Sequence, residues 1–127
     1  METPNRKEPF RYVMNQPIDC KIEVPVENGG PGAGKTTEGI LLDLSRSGCK
    51  IRTPLNLRFT TKETRIKVYF QLNDRELEFD GCVRWGWMFG IGLYQYGIRL
   101  DLTPAEDELL LHELEFFTLS AGEEAAN

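Results

Sequence analysis

Histidine is almost absent from this chain: His112 is the only one. A zinc site would have to be assembled from scattered single residues, and a Ser-His-Asp triad would need that one imidazole to meet a serine by accident of the fold. Cysteine is sparse as well. Cys20, Cys49 and Cys82 are odd in number, far apart and without a C-x-x-C. Each falls in an alternating apolar stretch, which points to buried reduced thiols and away from disulfides or metal ligands. No apolar run approaches the roughly 20 residues that span a bilayer, and Met1-Glu2-Thr3-Pro4-Asn5 is polar with no apolar signal-peptide core. The expectation is a cytoplasmic protein with no membrane insertion. Positive charge is not in excess either: 15 Lys and Arg against 20 Asp and Glu leave a formal net charge of −5. That is the wrong sign for coating a nucleic acid polymer through phosphate neutralisation. It does not exclude a small dianion, because binding answers to the local field.

What is present reads as one mainly β domain, since 127 residues suffice for a single core without staples. Residues 1–14 carry two prolines, three cations and little periodicity, and read as a flexible N-terminal arm. Ile18, Cys20, Ile22, Val24 and Val26 then alternate with Asp19, Lys21, Glu23 and Pro25, the period of a half-buried strand. Gly39 to Leu42 and Cys49 to Arg52 flank a polar turn, while Leu55 to Glu63 reads as an irregular connection. Ile66, Val68, Phe70 and Leu72 alternate up to a hairpin turn at Asn73-Asp74, and Leu77, Phe79, Gly81, Val83 and Trp85 alternate after it. A glycine-containing turn at Phe89 to Gly92 leads into a last strand, Leu93 to Leu100. Successive antiparallel strands favour a small closed barrel, which removes sheet edges.

Thr103-Pro104-Ala105-Glu106 is a capping box with proline at the first helical position, and Leu110, Leu111, Leu114 and Phe117 mark the buried face of the helix it opens. The barrel and helix span residues 15–120, and residues 121–127 read as a frayed tail.

The stretch Gly29 to Thr36 satisfies G-x-x-x-x-G-K-[ST], the phosphate-cradling loop of nucleotide hydrolases. Its context is wrong. Such a loop must open a helix, and its magnesium-binding Asp must sit on another strand of a parallel sheet. Only a few residues separate the glycines from Asp43, too few for the crossover of about a dozen residues that parallel strands need. The stretch reads as a loop between antiparallel strands.

The residues suited to bind a ligand lie elsewhere. Asp43-Leu44-Ser45-Arg46-Ser47-Gly48 combines two carboxylate acceptors, a hydroxyl that donates and accepts, and a glycine able to take φ > 0, all at an apparent strand end. Arg6-Lys7-Glu8-Pro9-Phe10-Arg11 concentrates three cations ahead of the first strand. In order and in the strand pattern around them, these two motifs resemble those of a PilZ domain, the bacterial receptor module for cyclic di-GMP. Asp43, Ser45 and Gly48 match its [D/N]-x-S-x-x-G; Lys7 and Arg11 have the spacing of its R-x-x-x-R, with Lys where Arg is usual; Arg6 precedes the motif.

The resemblance implies a six- to seven-stranded antiparallel barrel with a C-terminal helix. It further implies a receptor with no catalytic residues and no cofactor, binding cyclic di-GMP through Arg6, Lys7, Arg11, Asp43, Ser45, Gly48 and, as a turn neighbour, Arg46. Arg6 at its position is associated with a stacked pair of ligands in place of one. A protein effector would receive the signal. The alternative reading is a PilZ-like adaptor that binds a protein and little or no nucleotide. Trp85 reads as a core ring, and the Arg84 to Trp87 stretch is left outside the site.

Overall fold

The computed structural model describes residues 11–26, 34–57 and 64–125. The chain order is β1 (Arg11–Glu23), β2 (Thr36–Ser45), β3 (Gly48–Thr53), β4 (Thr64–Gln71), β5 (Glu76–Gly90), β6 (Leu93–Leu100) and α1 (Pro104–Ala125). The six strands close into a barrel in the order β1-β2-β3-β6-β5-β4, and every neighbouring pair is antiparallel. Each strand therefore has a hydrogen-bonded neighbour on both sides over at least part of its length.

The period-two pattern explains the interior. Ile22, Leu41, Leu44, Ile51, Val68, Phe79 and Tyr96 point inward and are buried, and Leu110 and Leu114 from α1 join the same cluster. Polar groups taken inside are satisfied. The Tyr96 hydroxyl accepts from the Leu57 amide at 2.8 Å and donates to the Leu55 carbonyl at 2.9 Å, and the Thr53 hydroxyl donates to the Glu38 carbonyl at 2.9 Å. An unpaired hydroxyl there would cost about 1–3 kcal/mol.

Helix α1 begins as its sequence dictates. The Glu106 amide donates to Thr103 Oγ1 at 3.1 Å while Glu106 Oε1 accepts from the Thr103 amide at 2.9 Å, both halves of a capping box. Two further contacts seat the helix on one end of the barrel. Arg46, in the β2–β3 turn, grips Asp107, and Asn73, in the β4–β5 turn, donates to the backbone carbonyl and side chain of Glu113 at 3.0 and 2.9 Å. The β5–β6 turn therefore lies at the opposite end, since β6 runs from it to Leu100 and delivers the chain to α1.

Two boundaries differ from those read in the sequence. β1 starts at Arg11, so residues 11–14 belong to the barrel and pair with β2. The polar run Asn15-Gln16-Pro17 had concealed this, and it coincides with a register shift between Val13 and Ile18, a bulge where proline needs no ladder partner. At the other end α1 continues to Ala125. The phosphate-loop reading fails on direction: the residues after Lys35 form β2, antiparallel to β1 through Glu23 and Thr36, with no helix opening there. Residues 27–33 of that loop and 58–63 of the irregular connection lie outside the described residues.

Candidate functional site

On the outer face of the barrel, Arg11, Asp43, Lys50, Arg84, Trp85, Gly97 and Arg99 line an open pocket of about 470 Å³, with Ser47, Gly48, Cys49 and Ile98 completing it. Asp43 stands at its centre of charge. Arg11 Nη1 donates to Asp43 Oδ1 at 2.7 Å, and Lys50 Nζ lies 3.6 Å from Oδ2. The carboxylate is only 8% exposed, whereas the Arg11 and Lys50 side chains are 43% and 39% exposed and reach the mouth.

Asp43 was expected at a turn; it sits inside β2, facing Val13 on β1 and Lys50 on β3. Leu41 points inward, so strict alternation would send Asp43 inward as well. A register shift between Leu41 and Asp43 resets the phase, leaving Leu41 and Leu44 both in the core and Asp43 on the outer face.

A second irregularity does the same for Trp85. The β5–β6 pairing shifts between Val83 and Trp85. Val83 is a core residue, and Trp85 two positions on turns outward into the pocket instead of continuing the core as expected. Its indole lies over Gly97: a Cβ at that glycine would come within 2.1 Å of the ring. The ring also stacks on Trp87, at 4.7 Å between centroids and 13° between planes.

Gly48 serves by size, not by backbone angle. Among the described residues the glycines with positive φ are Gly34 and Gly92. At Gly48 a Cβ would meet the Ile98 carbonyl oxygen at 2.5 Å, so glycine is what lets β6 approach the start of β3. Ser45 is fully buried and shapes the turn: its hydroxyl accepts from the Ser47 amide at 3.3 Å and donates to the Gly48 carbonyl at 3.4 Å. Arg46 leans away from the pocket. It makes a bidentate pair with Asp107, 2.8 Å from Nε to Oδ1 and 2.6 Å from Nη2 to Oδ2, and that hydrogen bonding holds the Asp107 carboxyl below its ordinary range. Arg6 and Lys7 lie outside the described residues.

The pocket also takes in Lys50, Arg84, Trp85 and Arg99, which the sequence reading left outside the site. Arg84 beside Trp85 was a visible signal of a cation next to a stacking face. Nothing in one dimension placed Lys50 or Arg99 near Asp43. Arg99 is oriented by Asp101, which accepts from its Nε at 3.0 Å. With Arg11, Lys50, Arg84 and Arg99 set against Asp43, the pocket is locally basic on a chain of net charge −5. Such a site suits a ligand carrying phosphate and a flat ring: guanidinium groups for the first, an indole for the second, a carboxylate for a donor edge.

A family model of the PilZ domain matches residues 4–116. The chain belongs to the PilZ domain family. Solved PilZ structures share its fold. The PilZ domain of YcgR from Escherichia coli with c-di-GMP aligns at a TM-score of 0.64 and 16% identity, over 93% of this chain and 95% of that one. YcgR in complex with c-di-GMP from E. coli aligns at 0.65 and 18% identity, over 92% of this chain and 48% of that one. The K. pneumonia MrkH-c-di-GMP complex aligns at 0.63 and 17% identity, over 92% and 52%. The present PilZ domain thus spans about half the length of the YcgR and MrkH chains. No curated protein matches the sequence. In this PilZ domain Asp43, Ser45 and Gly48 occupy one hairpin, and Arg11 reaches it from the neighbouring strand.

Proposed function

We propose that this PilZ domain is a bacterial, cytoplasmic receptor for cyclic di-GMP that passes the signal to a protein effector and does not turn the ligand over. The observation that carries the reading is the meeting of Arg11 with Asp43, 32 positions apart in the chain, at the mouth of a basic pocket floored by Trp85. Family membership and the c-di-GMP complexes of fold neighbours support the choice of ligand.

Cyclic di-GMP presents two guanine edges and two phosphodiesters. In the proposed complex the carboxylate of Asp43 accepts from a guanine N1–H and N2 amino edge. Arg11 bridges phosphate or guanine acceptors with its planar fork, and Trp85 lines the pocket with apolar surface for a base. Lys50, Arg84 and Arg99 offset phosphate charge. Ser45 and Gly48 act mainly by holding the hairpin in shape, and Arg46 contributes through α1. Arg6 and Lys7 close over the ligand from the chain before β1. Arg6 supplies an extra guanidinium, which can cover a second guanine and offset two more phosphates, so two stacked ligands per chain are proposed.

Lys7 in place of arginine favours one competing reading, a protein-binding adaptor with little nucleotide affinity, because lysine lacks the two-pronged contact and the stacking face. A thermal-shift panel separates the readings, since a ligand that binds only the native state must raise its stability. Cyclic di-GMP is expected to raise the melting temperature, with cyclic di-AMP, GTP and ATP leaving it in place. An unmoved melting temperature with all four refutes the receptor reading.

A further inference from the structure

At the end of the barrel opposite α1, the β5–β6 hairpin carries large apolar side chains that stay about half exposed or more, although Trp87 stacks on Trp85 and Arg52 lies over Phe89. Trp87 is 53% exposed, Met88 65%, Phe89 48% and Ile91 103%. They are nearly consecutive. In a strand laid on a core, neighbours alternate between a covered and a solvated face; here both faces of the hairpin are exposed, so it projects beyond the barrel body. The tip glycines agree, because a Cβ added at Gly90 or Gly92 would meet nothing within 4 Å. A flat protein surface would cover one face of such a projection. A medium that surrounds it covers both.

The hairpin itself carries no acidic residue: positions 85–94 contain no Asp or Glu. Arg52, from β3, holds its guanidinium 3.7 Å over the Phe89 ring, which places a cation at the base of the apolar tip. The acidic start of α1, Glu106 and Asp107, lies at the other end of the barrel. A convex tip of Trp, Met, Phe and Ile with arginine behind it matches the layering of a bilayer surface, where aromatic rings sit at headgroup depth and cations meet anionic lipid.

We propose that the β5–β6 hairpin seats this domain peripherally on anionic membrane, Met88, Phe89 and Ile91 entering the interface while Arg52 faces the headgroups. This differs from spanning: among the described residues no helix is long and apolar enough to cross a membrane. The expectation of no membrane insertion concerns long apolar runs, and a tip of five residues, Trp87 to Ile91, is invisible to that criterion. The proposal does not depend on what occupies the basic pocket.

The test is cosedimentation of the purified protein with sucrose-loaded vesicles of phosphatidylcholine alone or mixed with phosphatidylglycerol. Trp87 emission, read in a Trp85→Phe background, serves as a second readout. The expected result is binding to the mixed vesicles, weaker on phosphatidylcholine and weakened by salt, with a blue shift of Trp87. Ile91→Glu and Met88→Gln, both at exposed positions, are expected to lower binding at least tenfold with unchanged melting temperatures. Wild-type protein left in the supernatant with mixed vesicles overturns the proposal and leaves the tip to a protein partner. Variants that pellet as well as wild type overturn it too.

Discussion

Arg11 and Asp43 meet across the β1–β2 pair, the guanidinium donating to the carboxylate at 2.7 Å. Each is held by a different local device: Arg11 by a strand that starts earlier than the alternation suggests, Asp43 by a bulge that turns it out of the core. The pair therefore preorganises the pocket mouth, and a ligand has to bridge it or replace it.

Truncating either partner tests that arrangement. Arg11→Ala removes a side chain that is 43% exposed, so its effect on stability stays within about 1 kcal/mol. Asp43→Ala leaves Arg11 and Lys50 facing one another without their shared carboxylate, and is expected to be the more destabilising of the two. Both lose a charge-assisted contact worth about 1.5–3 kcal/mol to the ligand, roughly tenfold or more in affinity for cyclic di-GMP. Isotherms matching wild type for both variants would sink the site.

Gly97→Ala tests the role of Trp85. The new methyl would stand 2.1 Å from the indole, so the ring must leave its place over the β6 backbone. We expect a loss of about 1–3 kcal/mol in stability, typical of overpacking, together with changed tryptophan emission and weaker ligand binding. Unchanged emission would mean that the ring is not held against Gly97.

The phosphate-loop signature yields a negative prediction. Lys35 is exposed immediately before β2 and is followed by a strand, not a helix. Lys35→Ala should shift stability by less than about 0.5 kcal/mol, and millimolar ATP should leave the melting temperature in place. A clear ATP-induced shift that disappears in the variant would revive that reading.

Alkaline pH should weaken the fold through its thiols. Burial, aided by nearby Asp19, pushes Cys20 up to about 12 from an ordinary 9.0, and burial pushes Cys49 up as well. Above pH 9 the unfolded chain sheds these protons while the folded chain keeps them. The stabilising contribution is thus complete below about pH 9 and falls as pH rises toward 12. Denaturation midpoints measured between pH 8 and 11 should decline, and Cys20→Ala should decline less steeply. Parallel slopes for the two proteins would contradict the assignment.

How far the sequence could be read followed from regularity. Where alternation runs unbroken, as from Ile66 to Leu72 and from Leu77 to Val83, strand, facing and core were all legible. The capping box at Thr103 was equally plain, because its partners are three residues apart. The site was legible as a motif but not as a geometry. Bulges at Asp43 and Trp85 reverse the facing that alternation predicts, and a bulge leaves no one-dimensional signature. Gly48 invited an argument from φ, whereas its reason is the carbonyl of Ile98 on a strand 50 residues away in sequence. The pairing of Arg46 with Asp107 was not legible because the two lie 61 positions apart.

The most direct test of the central claim is calorimetric titration of cyclic di-GMP into the purified protein. The account predicts a saturable isotherm with two ligands per chain, falling toward one in Arg6→Ala while the contacts of Arg11 and Asp43 persist, and tightening in Lys7→Arg. Saturation at one ligand in the wild type would contradict the stacked pair and leave Arg6 without a role. The absence of any binding heat, with no displacement by the ligand in a competition assay, would contradict the receptor itself.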